Sequence, residues 1–439
     1  METIILSKEK VKPSKPTPPH LKNHKLCFLD QIQPPTRIKI VLFYENTTLA
    51  QNQNILKNAL SETLTLFYPL AGELKEGSTF VDCNDTGVAY VEAQAKTHLS
   101  HFLENPDLSQ LKKLMIDVEC HLVSFQVTRF DCGGMAIGAS MFHLVSDANT
   151  MSSFLKTWAN IARERIMPLA SLDFTSSSLL FPPQNHLPQE LSAFLKTLFF
   201  KEGDQFLQRR FVFDSKAIAA IKMKSGSNSN VPKPTRVEAL TAFIWKHMML
   251  ASEAVKGSSS PSCMLNHAVN LRPRLHPPLP NAFGNVVWFA TTFYESEITT
   301  SDNIDLSHLV GLVREVFETF SNGENLKELE GDASFTYLVN LATDTINSFD
   351  KVDNYMFTSW CRFGLDEVDF GWGKPIWVAP LFDPTCSLGH VQIVILVESG
   401  RSSDGIEAWI LRNKEEILEL ENDEELLQYA SPNPSIRIP

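Results

Sequence analysis

Segments with the spacing of β-strands and of amphipathic helices alternate in both halves of the chain, and this alternation constrains the fold more than any other feature. In the first half, the apolar run Met135–Phe142 predicts a strand, and helical spacing of apolar residues over 149–165 predicts the helix that follows. In the second half, Thr235 and Glu238 have the spacing of a capping box that opens a long helix. The pattern therefore predicts a mixed α/β fold.

The 439 residues allow two or three domains at about 150 residues per domain. The periodic pattern weakens from about 167 to 208, where proline and serine clusters are typical of a linker. We therefore expect an N-terminal domain over 1–170, a crossover loop over 171–208 and a C-terminal domain over 209–439. The proline-rich first forty residues are expected to form an extended entry, and 415–429 to form the closing helix.

Charge and cysteine usage exclude several classes of protein. The formal net charge is −12, which argues against a nucleic acid or an anionic membrane surface as partner. The seven cysteines contain no C-x-x-C pair, which favours reduced thiols over a disulfide framework or a metal site. The sequence has no apolar run long enough to span a membrane and no signal-peptide pattern at its start. We therefore expect a cytoplasmic protein without a metal or a membrane span.

His143 stands where a predicted strand ends, and Asp147 follows across a polar turn. A neutral histidine that faces a cleft can take a proton from a hydroxyl group near pH 7. The alternative is a polar group that only ends a strand, because H-x-x-x-D is a short pattern that also arises by chance. The chain has no P-loop, dinucleotide, zinc-protease or nucleophile-elbow motif, so these chemistries are not expected.

A second unusual segment is Asp369-Phe-Gly-Trp-Gly373, which follows the aromatic run Thr358–Phe363. Glycines on both sides of Trp372 permit backbone angles that other residues avoid. The segment is either a tight aromatic turn that holds a loop in place or a part of a functional site.

In this order, His143-x-x-x-Asp147 and Asp369-Phe-Gly-Trp-Gly373 resemble the signature pair of the plant BAHD acyltransferases. The resemblance covers nearly the whole chain, and further matching segments include Leu29-Asp30-Gln31, Asp131-Cys-Gly-Gly134, Asn270-Leu-Arg272-Pro and Gly284-Asn285. Cys132-Gly-Gly134 and the run from Thr358 to Phe363 resemble most the vinorine synthase-like branch, with its alkaloid, terpenoid and benzyl-alcohol acetyltransferases.

The resemblance implies two similar-sized domains with mixed sheets, as in chloramphenicol acetyltransferase, joined by a crossover loop and separated by an active-site channel. It implies a monomeric O-acyltransferase that binds no cofactor and uses acyl-CoA, with acetyl-CoA expected, as cosubstrate. The acceptor would be a hydroxyl group of a plant specialised metabolite such as a terpenoid, an alkaloid or an aromatic alcohol. An amine acceptor and a non-catalytic relative that only binds a small molecule remain open alternatives.

The resemblance also implies roles for individual residues. His143 would be the general base of a direct transfer through a tetrahedral intermediate. Asp147 would pair with Arg272 and shape the site, while Thr358 and Trp360 would contact the oxyanion or the substrate. The structural turn of the family would lie away from the histidine and would be formed here by Asp369, Gly371, Trp372 and Gly373.

Overall fold

The computed structural model describes residues 1–45, 53–75, 77–116, 121–164, 172–187, 191, 206–226, 231–257, 262–295, 304–320, 331–348, 352–382, 393–400 and 404–436. The strands in this part of the chain are β1 (Thr3–Val11), β2 (Asn23–Lys25), β3 (Arg37–Tyr44), β4 (Phe80–Asp82), β5 (Val88–Ala95), β6 (Val123–Phe130), β7 (Met135–Phe142), β8 (Phe206–Phe213), β9 (Ser262–Asn270), β10 (Val287–Glu295), β11 (Asp353–Ser359), β12 (Trp377–Pro380), β13 (Ile393–Glu398), β14 (Ile406–Asn413) and β15 (Ser431–Pro432). The α-helices are α1 (Phe28–Gln31), α2 (Gln53–Leu66), α3 (Leu99–Glu104), α4 (Ala148–Glu164), α5 (Ser176–Leu180), α6 (Ser215–Gly226), α7 (Arg236–Lys256), α8 (Leu306–Thr319), α9 (Asp332–Ser348), α10 (Lys414–Asn422) and α11 (Glu424–Leu427).

The first sheet has six strands in the order β1-β5-β6-β7-β3-β12. All neighbours are antiparallel except β5 and β6, which run parallel. Helix α4 packs beside α2 and buries the apolar positions that its spacing predicts, including Phe154, Leu155 and Trp158. Each such side chain contributes about 1.5–3 kcal/mol when it is fully removed from water. This burial holds the start of α4, and with it Asp147, against the end of β7.

The second sheet has seven strands in the order β10-β9-β11-β13-β14-β8-β15. Strand β11 is parallel to both of its neighbours, β9 and β13. Helix α7 begins with the predicted capping box, in which Glu238 N donates to Thr235 Oγ1 over 3.2 Å and Thr235 N donates to Glu238 Oε2 over 2.6 Å. The same helix packs against α6, α8 and α10, and its buried face completes the core of this half.

The two halves are interlocked. Strand β12 follows β11 in the sequence, yet it pairs antiparallel with β3 and so belongs to the first sheet. A separate apolar cluster joins Phe28 and Leu29 from the first half to Trp288 and Met264 from the second half. Of the predicted crossover, 171–208, the described part is 172–187, Leu191 and 206–208, where Phe181 O accepts a hydrogen bond from Phe28 N.

The predicted fold class, two bodies with mixed sheets and helices, is confirmed. One strand was not predicted, and one local expectation was wrong. Residues Thr3–Val11 form a strand, because they pair along the edge of the first sheet with β5. The closing helix is split at Asp423, whose backbone is extended and whose side chain accepts from Leu426 N to start a new helix. Within the described ranges, no helix is both long and apolar enough to cross a membrane.

Candidate active site

A cavity of about 170 Å³ lies between the two sheets. One wall comes from the first half, with residues 36–39 of the β3 region and His143 at the end of β7. The other wall comes from β9, β10, β11 and β13. Apolar and aromatic side chains dominate the second wall, among them Val287, Phe289, Met356, Phe357 and Trp360. A largely apolar pocket with few polar groups is the usual form of a small-molecule site.

The ring of His143 is held by one hydrogen bond to Asn285. His143 Nδ1 lies 3.1 Å from Asn285 Oδ1, and Asn285 Nδ2 donates to His143 O over 2.7 Å. The amide nitrogen of Asn285 also donates to the carboxylate of Asp30, so its oxygen is the atom that faces the ring. Because a carbonyl oxygen only accepts, Nδ1 carries the proton of the neutral ring and Nε2 has the free lone pair.

Burial favours the neutral form of that ring. Burial lowers the pKa of His143 below its ordinary value, although Asp147 and the bond to Asn285 act in the opposite direction. His143 lines the cavity and Asn285 does not. Nε2 is therefore the nitrogen on the cavity side, and no side chain in the described ranges is hydrogen-bonded to it. A neutral imidazole with an open Nε2 can take a proton from a bound hydroxyl group.

Asp147 is bound to Arg272 instead of His143. The carboxylate accepts from Arg272 Nη1 over 2.6 Å, and also from Thr150 N and Val286 N. Burial alone would raise the pKa of Asp147, but the charge and hydrogen bonds of Arg272 lower it below its ordinary value. Arg272 donates further to Ala282 O and Gly284 O. The pair therefore ties the start of α4 to the loop that carries Asn285.

Thr358 and Trp360 lie at the end of β11 and line the same cavity as His143. Thr358 is half-buried and is paired with β9 and β13 on its two sides. Trp360 is buried, and its backbone N–H donates to Leu396 O over 2.8 Å. The structure thus brings both predicted contact residues together with the histidine.

The Asp369–Gly373 turn is not among the residues found to line the cavity. Asp369 Oδ1 accepts the N–H groups of Gly371 and Gly373 over 2.8 and 2.9 Å, and both glycines have a positive φ, of 106° and 104°. Trp372 stacks on Phe370 at 5.4 Å. Arg163 near the end of α4 lies 3.5 Å from Asp369, so the turn packs against the far end of that helix.

We predict that Gly371→Ala lowers the free energy of unfolding by about 1–3 kcal/mol, because alanine is strained at this positive φ. The catalytic rate per folded molecule is expected to stay within twofold of wild type. Urea unfolding and initial rates measure the two quantities. Gly311→Ala is the matched control, since Gly311 lies inside α8 with open space around its Cα and alanine is favoured there. A large loss of rate without a loss of stability would contradict a structural role.

Two polar residues of the site were not predicted to have a role. Asn285 orients His143, and Asp30 binds Asn285. Both lie in segments that carried the resemblance, Leu29-Asp30-Gln31 and Gly284-Asn285. Their position in these segments was the feature of the sequence that could have indicated a role. In the described residues, no group of three or more histidine, cysteine or acidic side chains is placed to hold a metal ion.

Two mixed sheets enclose His143, and this arrangement matches a two-domain, chloramphenicol-acetyltransferase-like fold. A family model described as the Transferase family matches residues 1–427, and the chain belongs to this family, the BAHD acyltransferases. The chain is therefore an acyltransferase that uses acyl-CoA.

Relatives of known activity span the full length of the chain. Akuammiline synthase 2 from Alstonia scholaris is 38% identical over 452 residues, which cover 99% of this chain and 98% of that protein. Limonoid 7-O-acetyltransferase from Citrus sinensis is 38% identical over 467 residues, with 99% of each chain covered.

Two solved structures match the fold of the chain over nearly its whole length. The crystal structure of vinorine synthase is 29% identical, has a TM-score of 0.80 and covers 98% of this chain and 99% of its own. F. graminearum TRI101, solved in complex with coenzyme A and T-2 mycotoxin, is 18% identical with a TM-score of 0.67, covers 94% of this chain and 99% of its own, and matches in fold.

Proposed function

We propose that this enzyme transfers an acetyl group from acetyl-CoA to a hydroxyl group of a terpenoid or alkaloid. The observation that carries the proposal is the hydrogen bond of His143 Nδ1 with Asn285 Oδ1, which leaves Nε2 for a cavity with walls from both halves of the chain. The apolar second wall suits a polycyclic acceptor better than a strongly polar one. The limonoid acetyltransferase and vinorine synthase support the proposal by similarity.

The geometry of the site supports a direct transfer between the two substrates. Nε2 of His143 takes the proton of the acceptor hydroxyl while the oxygen attacks the thioester carbonyl carbon. The carbon–sulfur bond of the resulting tetrahedral intermediate then breaks, and the protonated ring returns the proton to the CoA thiolate. Thr358 and Trp360 are the proposed contacts of the oxyanion or substrate, because both line the cavity. The ion pair of Asp147 and Arg272 holds the start of α4 against the loop that carries Asn285, and it exchanges no proton.

We also propose that the enzyme works as a monomer in the cytoplasm. Both walls of the cavity come from one chain, so a second copy is not needed to complete the site. The five described cysteines, Cys27, Cys83, Cys132, Cys263 and Cys361, are all unpaired, and unpaired thiols are typical of a reducing compartment.

The test is CoA release from purified enzyme with acetyl-CoA and a panel of limonoid and indole-alkaloid alcohols. The matched amines are tested alongside, and butanoyl-CoA and benzoyl-CoA replace acetyl-CoA in parallel. Release that requires an alcohol and is fastest with acetyl-CoA supports the proposal. Faster release with the amines would make the enzyme an N-acyltransferase. Acceptor binding without release by any donor would make it a non-catalytic relative.

We predict that Thr358→Val lowers kcat by about 10²-fold, the usual effect of removing one donor to a developing oxyanion. The KM for acetyl-CoA should change little, because the interaction forms in the transition state. Steady-state kinetics measure both constants. Thr358→Ser keeps the hydroxyl group and is expected to retain most of the activity. Equal losses in the two variants would assign Thr358 a packing role.

A further inference from the structure

We propose that Asp30 is a positioning residue for His143, which acts through Asn285 to fix the ring and to stabilise the imidazolium that forms during acyl transfer. This inference rests on the proposed function and adds to it a third polar residue, from a helix outside the signature motifs. The catalytic base is then the last member of a hydrogen-bonded chain from Asp30 through Asn285 to His143. Asp30 is not among the residues that line the cavity.

The contacts of Asp30 lie on both sides of the interface between the halves. Asp30 is the third residue of α1, and its Oδ1 accepts from Asn285 N over 2.7 Å and from Asn285 Nδ2 over 2.9 Å. Its Oδ2 accepts from Cys27 N over 2.8 Å. Asn285, which is fully buried, then presents its Oδ1 to His143 Nδ1. If the side-chain amide of Asn285 flipped, its Nδ2 would therefore lose the Asp30 carboxylate as acceptor.

Gly284 makes the close approach of the carboxylate possible. Its φ is +93°, and a Cβ built on it would lie 3.0 Å from Asp30 Oδ1. A larger residue would press on the same oxygen that binds Asn285. The carbonyl of Gly284 also accepts from Arg272 and Thr150, so the loop before β10 is fixed on both faces.

The charge of Asp30 needs an explanation, because burial of an unpaired carboxylate is costly. Asp30 is 2% exposed, and its hydrogen-bond donors in the described residues are neutral N–H groups. Burial raises the pKa of Asp30 to about 6, although its bonds to Asn285 and Cys27 oppose the change. An asparagine would keep the bonds to Asn285 but would place its amide nitrogen against Cys27 N, so the carboxylate is needed to accept all three bonds. A carboxylate adds polarisation of the amide, which strengthens the bond from the amide oxygen to the ring.

Other charged groups near the ring do not replace this effect. The charge of Asp147 also raises the pKa of the ring, but its carboxylate is paired with Arg272 and has no described hydrogen bond to the ring. Arg37 and Lys39 line the same wall of the cavity as His143 and are cations. Cys27 lies beside Asp30, and burial raises the pKa of its thiol well above the ordinary value, so the thiol stays neutral. Asp30 is therefore the carboxylate linked to the ring by hydrogen bonds.

The first test is Asp30→Asn, which keeps the shape of the side chain and removes its charge together with the acceptor for Cys27 N. We expect kcat to fall by about 10- to 100-fold, the lower part of the range for proton-transfer catalysis, with the KM for acetyl-CoA within about twofold. The acidic limb of the pH profile of kcat/KM should move to lower pH, because the imidazolium loses a stabilising charge. Glu407→Gln is the matched control, a buried carboxylate bonded to Trp377 and Trp409, and should change stability alone.

A second readout does not depend on activity. NMR titration of the His143 ring should give a pKa lower by about half a unit to one unit in Asp30→Asn than in wild type. Asn285→Ala, which removes the bridge, should shift it in the same direction and serves as the test if Asp30→Asn does not fold. An unchanged ring pKa and pH profile in the folded variant would overturn the inference. A shifted ring pKa in an enzyme that releases no CoA would support Asp30 and overturn the proposed function instead.

Discussion

Replacement of His143 by alanine is expected to lower the rate of acceptor-dependent CoA release by about 10²- to 10⁴-fold, the range for loss of a general base. The reason is that Nε2 of this ring is the basic atom placed at the cavity, while Nδ1 is held by Asn285. Binding of acetyl-CoA should be nearly unchanged, because the ring acts on the acceptor proton. Initial rates with a thiol reagent and equilibrium binding of acetyl-CoA measure the two effects.

Two controls test whether the loss of rate in His143→Ala is caused by the missing general base. His101→Ala removes an exposed imidazole in α3 and should leave the rate unchanged. Added imidazole should restore part of the rate of His143→Ala, because the truncated side chain leaves space in a cavity that already holds about 170 Å³. A His143→Ala enzyme that keeps more than a tenth of the wild-type rate would require another base.

Local pattern predicted the elements that position His143, since Met135–Phe142 and the helix after it match the expected strand and helix almost to the residue. Apolar periodicity reports which face of an element is buried, and here the buried faces are continuous. Strand β1 lacked that signal because it lies at a sheet edge, where most of its side chains are exposed. The apolar periodicity of the sequence therefore could not predict the pairing of β1 with β5.

Contacts between distant segments could not be predicted from pattern at all. Strand β12 joins a sheet whose other strands lie more than 200 residues earlier. The bond between Asp147 and Arg272 links residues 125 positions apart, and the resemblance to a family implied it. The chain from Asp30 through Asn285 to His143 joins three separate segments, so only the folded arrangement gave Asp30 and Asn285 a role.

The second large effect is expected at the pair of Asp147 and Arg272. Asp147→Ala should lower the free energy of unfolding by about 3–5 kcal/mol, the usual effect of leaving one charge of a buried pair without its partner. Arg272 is 2% exposed, so water cannot replace the lost carboxylate. Arg272→Met should have a similar effect. The double variant should lose less than the sum, because it leaves no unpaired charge. Urea unfolding measures all three variants.

The dependence of this stability on pH follows from the lowered pKa of Asp147. The folded state favours the carboxylate, so the stabilisation is present above the unfolded value of 3.8 and is lost as the pH falls through the folded value. The difference in stability between wild type and Asp147→Asn should therefore shrink in acid. Glu367→Ala, which breaks an exposed pair with Lys374, is the control and should show no measurable loss.

Activity of the same variants separates two roles for Asp147. The carboxylate is bonded to Arg272, Thr150 and Val286, and no hydrogen bond joins it to the His143 ring among the described contacts. Asp147→Asn should therefore lose stability while its remaining folded molecules keep a rate within about tenfold of wild type, far above His143→Ala. A folded Asp147→Asn enzyme as slow as His143→Ala would assign Asp147 a direct part in the chemistry. In that case the charge that assists His143 would come from Asp147, and Asp30→Asn should leave the ring unaffected.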